Sequence, residues 1–64
     1  MPTIRVEMFE GRTEDQKREY AKALTEITTK ILGGSPESVD ILFYELPARH
    51  WATGGELWSD KQKK

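Results

Sequence analysis

The second residue of the chain is a proline, and its position gives it a possible chemistry. Removal of Met1, which a small following residue favours, would make Pro2 the amino terminus and its nitrogen a secondary amine. Free α-amino groups have a pKa of about 8, and burial or a nearby cation lowers it toward neutrality. Such an amine can act as a general base. A retained Met1 would turn the same nitrogen into an amide, and a proline that merely begins a strand is the structural alternative.

Two further residues could serve a small anionic ligand. Arg12 follows Gly11 just before a predicted helix start. Its guanidinium fork suits a carboxylate, and a helix N-terminus also favours anions. Trp51 precedes a Gly-Gly pair, and its ring could cover a ligand pocket. Trp is equally suited to the centre of a protein–protein interface. A solvated turn residue is the alternative for Arg12.

Three titratable residues complete the candidates. Asp40 interrupts an apolar strand and therefore needs solvent or a partner. Glu45 and His50 are better explained as surface or hydrogen-bonding groups. With one histidine and no cysteine, we expect no metal site. The sequence also lacks a phosphate-binding loop and the HExxH and GxSxG motifs.

The first half of the chain predicts a strand followed by a long helix. Thr3 to Phe9 alternates between apolar and polar residues, as a strand does. Thr13 and Gln16 fit a capping box, so the helix is expected from Glu14 to about Leu32. An apolar stripe at helical spacing would form its inner face: Tyr20, Leu24, Ile27 and Ile31.

The second half predicts another strand, which completes a βαβ unit. Val39 to Leu46 is almost continuously apolar, which suits a strand covered on both faces. Because a long helix separates the two strands, they are expected to pair in parallel. Arg49 to Leu57 is predicted to be a loop or short hairpin around Gly54-Gly55. Residues 58–64 are expected to form a frayed tail.

Size and composition limit the possible classes of protein. The chain has 64 residues and a formal charge of −1, with 36% hydrophobic and 33% charged residues. We expect one α/β (α+β) domain over residues 1–64, in the cytoplasm, with no membrane span, no signal peptide and no nucleic-acid partner. A chain this small buries a marginal core without disulfides. Oligomerisation is therefore expected, since one helix covers only one face of two strands.

These features together resemble the tautomerase superfamily, and specifically the 4-oxalocrotonate (2-hydroxymuconate) tautomerase family. The resemblance runs from Pro2 to about Leu57 without gaps, through the segment 9–17 (FEGRTEDQK) and the later segment 54–57 (GGEL). It implies a βαβ fold that assembles as a hexamer, a trimer of dimers. It also implies an isomerase of aromatic catabolism that ketonises 2-hydroxydienoate or 2-oxo acid substrates without a metal or organic cofactor.

The resemblance also assigns roles to individual residues. Pro2 matches the amino-terminal general base that later returns the proton. Arg12 matches the arginine that binds a substrate carboxylate and polarises the dienol. Trp51 matches an aromatic position, usually Phe, that walls the pocket. Thr3 and Phe9 match positions that line it.

Asp40 departs from the pattern, because the resemblance places a second arginine there. In comparable sites such an oxyanion-stabilising group contributes about 3 kcal/mol. Arg49 and Arg5 are candidate substitutes. Two alternatives follow: a hydratase or dehalogenase of unsaturated acids that uses Pro2 and the Asp40 carboxylate, or a catalytically silent structural subunit. The natural substrate and the homomeric or heteromeric nature of the assembly stay open.

Overall fold

The computed structural model describes residues 2–61. Two strands and a long helix form the main body, and a small hairpin with a terminal helix follows. The elements are β1 (Thr3–Phe9), α1 (Glu14–Leu32), a 3₁₀ turn (Pro36–Ser38), β2 (Asp40–Leu46), a second 3₁₀ turn (Ala48–His50), β3 (Ala52–Thr53), β4 (Glu56–Leu57) and α2 (Trp58–Lys61).

The two long strands pair in parallel, as predicted. Their register runs from Thr3 opposite Asp40 to Phe9 opposite Leu46. The second strand begins one residue later than predicted. Val39 instead ends the 3₁₀ turn, where its N–H donates to the Pro36 carbonyl oxygen at 3.2 Å.

Helix α1 begins and ends where the sequence signals predict. The Gln16 N–H donates to Thr13 Oγ1 at 3.1 Å, and the Thr13 N–H donates to Gln16 Oε1 at 2.9 Å. This capping box satisfies two N–H groups that the first turn would otherwise leave without partners. At the other end Gly33 adopts φ +83°, a conformation that other residues rarely take.

Helix α1 packs on one face of the sheet. Lys17 Nζ lies 2.7 Å from Glu45 Oε1. The ring centroids of Tyr20 and Phe43 lie 6.3 Å apart. Because side chains alternate along a strand, Leu42 and Tyr44 point to the opposite face, where each remains 42% exposed.

Residues 2–61 of a single copy contain no buried core. None of residues 2–61 is fully buried, and the predicted inner stripe of α1 includes Ile31, which is 71% exposed. The surface of a two-stranded sheet is too small to cover a helix of 19 residues. The Cα radius of gyration is 15.3 Å, whereas a compact domain of 64 residues has about 11 Å. The protomer therefore leaves apolar faces that need another surface.

The C-terminal segment is ordered further than predicted. Gly54 and Gly55, at φ +62° and +85°, form the turn of a β3–β4 hairpin. Residues 58–61, expected to be part of a frayed tail, form α2. The Trp58 N–H donates to the Trp51 carbonyl oxygen at 2.8 Å, and this bond extends the hairpin by one residue pair. The rest of the expected tail, residues 62–64, lies outside the described residues.

Candidate active site

The candidate residues near the chain start lie together at one end of the sheet. The Asp40 N–H donates to the Pro2 carbonyl oxygen at 3.0 Å, and Thr3 lies opposite Asp40 in the ladder. Pro2 is half-buried, while Thr3 and Asp40 are exposed. We call these three residues the amino-end cluster.

An aromatic cluster occupies the other end of the sheet. The Phe9 ring centroid lies 4.5 Å from that of Trp51 and 5.6 Å from that of Trp58. The Trp58 indole N–H donates to Thr53 Oγ1 at 2.9 Å and thereby fixes the ring. Trp51 is thus held between β1 and the hairpin rather than in a free loop.

Arg12 lies beyond the same end of β1 but on the side of the sheet that α1 covers. Gly11 at φ +126° turns the chain between the strand and the helix. Arg12 then lines an open groove of about 350 Å³ between α1 and the sheet. The other residues that line this groove are Val6, Met8, Gln16, Lys17, Tyr20 and Phe43.

The charges in this groove favour an anionic ligand at Arg12. Lys17 is neutralised by Glu45 at 2.7 Å. Arg12 has no ion-pair partner within residues 2–61 and is exposed. An unpaired guanidinium beside apolar and aromatic walls can bind the carboxylate of a small organic acid.

The two groups of candidates are far apart within one protomer. Strand β1 has seven residues, so its ends are separated by about 20 Å at roughly 3.3 Å per residue. Pro2 precedes this strand and Arg12 follows it. No six-carbon acid can span that distance. In one copy of the chain, Pro2 and Arg12 therefore cannot both contact the same small molecule.

The remaining charged candidates belong neither to the amino-end cluster nor to the groove that Arg12 lines. The Arg5 guanidinium carbon lies 5.2 Å from the centroid of the Tyr44 ring. Glu45 pairs with Lys17, and Arg49 and His50 lie exposed in the second 3₁₀ turn. No group of three metal-ligating side chains occurs within residues 2–61, and no helix there combines the length and apolar character needed to cross a membrane.

Sequence reasoning missed Trp58. In a hairpin with a two-residue turn, residues equally far from the turn pair with each other. Trp51 and Trp58 each lie three residues from Gly54-Gly55, so this count alone would have paired them. The polarity of the residues after Trp58 suggested a frayed tail instead.

Comparison with known proteins identifies the family. A model of the "Tautomerase enzyme" family matches residues 2–61. The chain belongs to the tautomerase family. The 2-hydroxymuconate tautomerase of Bacillus subtilis is 36% identical over 62 residues, which is 97% of this chain and 100% of that protein.

Solved structures of tautomerases share the fold. TomN, a 4-oxalocrotonate tautomerase homologue from the tomaymycin biosynthetic pathway, superposes with a TM-score of 0.92 and 30% identity over 98% of this chain and 97% of its own. A heterohexameric 4-oxalocrotonate tautomerase from Chloroflexus aurantiacus has a TM-score of 0.86 and 32% identity, with coverage of 94% and 97%. These comparisons confirm the family resemblance and the βαβ fold, and membership implies an isomerase.

Proposed function

We propose that this tautomerase converts 2-hydroxydienoate-type acids to their 2-oxo forms, with Pro2 as the base. The observation that carries the proposal is the position of Pro2 at the start of β1. Its carbonyl oxygen accepts the Asp40 N–H at 3.0 Å, which ties the residue to the sheet. Its ring nitrogen has no amide hydrogen and takes no part in the ladder. Once Met1 is removed, that nitrogen is free for chemistry.

The reaction requires one proton transfer from oxygen to nitrogen and one from nitrogen to carbon. The neutral Pro2 amine removes the proton of the 2-hydroxyl group while the carbon–oxygen double bond forms. The conjugated double bonds shift, and prolinium returns the same proton to C3 or C5. No redox change occurs, and the proposed reaction needs no metal or organic cofactor.

Arg12 is the proposed carboxylate-binding residue. A guanidinium offers two parallel N–H groups to a carboxylate and keeps its charge at all relevant pH values. The positive charge also draws electron density along the conjugated system toward Arg12. Phe9 and Trp51 are proposed to form the apolar wall that excludes water, and Thr3 to line the pocket beside Pro2.

The complete site is proposed to form only between copies of the chain. Strand β1, with ends about 20 Å apart, lies between Pro2 and Arg12 in one protomer, so we propose that a second copy supplies one of them. The exposed Leu42 and Tyr44 and the absence of a buried core in residues 2–61 support an assembled state. We propose a homo-hexamer, a trimer of dimers, acting in the cytoplasm in aromatic catabolism.

The position of Asp40 favours one alternative reaction. A carboxylate beside Pro2 could activate water while prolinium acts as an acid, as in hydration or dehalogenation of an unsaturated acid. Release of halide from a 3-haloacrylate would support this reaction. Fast ketonisation without halide release would exclude it.

A catalytically silent subunit is the non-enzymatic alternative. The heterohexameric relative from Chloroflexus aurantiacus is a precedent for unlike subunits in one assembly. Native mass spectrometry of material purified from cells would separate the cases. A homo-oligomer whose subunits lack Met1 would argue against a silent role.

The experiment that tests the main proposal follows 2-hydroxymuconate ketonisation by ultraviolet absorbance. The protein is first shown by mass to lack Met1. Pro2→Ala should lower kcat by at least about a hundredfold, in line with loss of a general base. Pro36→Ala, which removes a proline from a 3₁₀ turn, is the matched control and should keep full activity. Undiminished turnover by Pro2→Ala would refute Pro2 as the base.

A further inference from the structure

Asp40 is an acidic residue at the ladder position whose backbone bonds to the proposed base, Pro2. Its backbone N–H donates to the Pro2 carbonyl oxygen at 3.0 Å, and its ladder partner Thr3 carries no charge. The Asp40 side chain is exposed. Within residues 2–61 it has no ion-pair partner. Among these residues the carboxylate is therefore unpaired at the ladder position that bonds to the Pro2 backbone.

Within residues 2–61, Asp40 forms no ion pair with a lysine or arginine. Arg5 lies on the same sheet face as Asp40, but its guanidinium stacks on Tyr44 at 5.2 Å, toward the other end of the strand. The segment 31–48 contains no Lys or Arg, and Glu37 adds another carboxylate just before β2. Within the described part of the chain, the ladder position bonded to Pro2 thus carries an unpaired negative charge, whereas Arg12 beyond the other end of β1 carries an unpaired positive charge.

We infer that Asp40 selects the charge of the substrate: the site favours acids with a single carboxylate, held by Arg12, over dicarboxylates. This inference rests on the proposed function, because it assumes that one molecule contacts Arg12 of one copy and the Pro2 end of another. A second carboxylate near Asp40 would meet a like charge in a partly dehydrated site. Such repulsion weakens binding, whereas a neutral end is accepted.

Turnover of two related dienols tests the inference. We compare kcat/KM for 2-hydroxypenta-2,4-dienoate, which has one carboxylate, with that for 2-hydroxymuconate, which has two. The wild-type protein should favour the monocarboxylate by about tenfold or more. Asp40→Asn should remove most of that preference by raising kcat/KM for the dicarboxylate.

Glu37→Gln is the matched control. It removes one carboxylate from the same end of the sheet at an exposed position outside the proposed site. Because Glu37 lies in the turn before β2 and is not bonded to Pro2, its ratio of kcat/KM values should change far less than that of Asp40→Asn. Circular dichroism should show that both variants keep the fold, because neither side chain is buried.

Equilibrium binding separates failure of this inference from failure of the proposed function. Tryptophan fluorescence, to which Trp51 and Trp58 both contribute, reports binding of hexanoate and adipate, which have six carbons each but one and two carboxylates. Turnover of both dienols without a preference, or a preference that Asp40→Asn leaves intact, overturns the charge selection and leaves the tautomerase activity standing. If neither dienol is converted, tighter binding of hexanoate that depends on Asp40 supports the charge selection alone. Equal binding in that case overturns it.

Discussion

The indole N–H of Trp58 donates to Thr53 Oγ1 at 2.9 Å, across the turn of the β3–β4 hairpin. The same indole packs edge-on against Phe9, with ring centroids 5.6 Å apart. One side chain thus joins the hairpin to the last residue of β1. Phe9 also contacts the Trp51 ring, with centroids 4.5 Å apart, so the two tryptophans share one aromatic neighbour.

Substitution of Trp58 should therefore destabilise the assembled protein. Trp58→Ala removes the ring contact as well as the hydrogen bond and should lower the free energy of unfolding by about 2–3 kcal/mol, less than for a fully buried Trp. Thr53→Val removes only the hydrogen bond and should cost about 1 kcal/mol. Urea denaturation at one protein concentration measures both, since assembly makes stability concentration-dependent. Equal stability of Trp58→Ala and wild type would show that the Trp58 side chain does not stabilise the protein.

The exposed sheet face predicts a second effect, on assembly. Leu42→Glu puts a charge into the apolar patch that Leu42 forms with Tyr44, opposite α1. If this patch packs against another copy, burying the added carboxylate there should shift the oligomer to smaller species, because pairing with its ladder partner Arg5 only partly offsets the loss of hydration. Analytical ultracentrifugation measures the change. Lys22→Glu, a charge reversal at an exposed position of α1, is the control and should leave the assembly unchanged. An intact oligomer in Leu42→Glu would mean that this face stays in solvent.

The main body of the fold was predictable because its signals are local. Thr13 and Gln16 lie within one helical turn of each other, so the capping box could be identified from spacing alone. The alternation from Thr3 to Phe9 likewise requires no knowledge of the rest of the chain. Trp58 was misjudged because its order depends on the hairpin register, which brings it against Trp51 and Phe9.

The arrangement of the site was harder to predict than its members. Asp40 reaches Pro2 only through the parallel register of β1 and β2, which depends on the length of the connection and on packing against α1. The sequence pattern could name Pro2 and Arg12 as partners in chemistry. The predicted strand Thr3–Phe9 already lay between them, but the sequence could not indicate which copy of the chain would supply each residue to a site.

Arg12 should be required for both binding and turnover. Arg12→Ala removes the charge and should lower kcat/KM by about a hundredfold, the loss of a charge-assisted contact that strengthens in the transition state. Arg12→Lys keeps the charge but loses the two-pronged geometry, and it should recover only part of the loss. Steady-state kinetics with 2-hydroxypenta-2,4-dienoate measures each effect.

Arg18→Ala is the control for the Arg12 variants. Arg18 lies exposed on α1, where it pairs with Glu14 at 3.0 Å and with Asp15. It has no place in the proposed site, so its loss should leave kcat/KM at the wild-type value. If Arg12→Ala matched this control, Arg12 would be excluded as the carboxylate-binding residue.

The separation of Pro2 from Arg12 leads to a test that needs both variants at once. If each site takes these residues from different copies, a mixed oligomer of Pro2→Ala and Arg12→Ala subunits contains some sites in which both are intact. In a random equal mixture, each residue is intact in half of the sites, so about a quarter of the wild-type activity should return. Co-refolding with native mass spectrometry confirms mixing. Pro2→Ala mixed with the double variant should stay inactive, because no copy then supplies Pro2. Mixed oligomers without any recovery would mean that sites are not shared between copies, and the position of Arg12 about 20 Å from Pro2 in the protomer would then exclude it from the reaction.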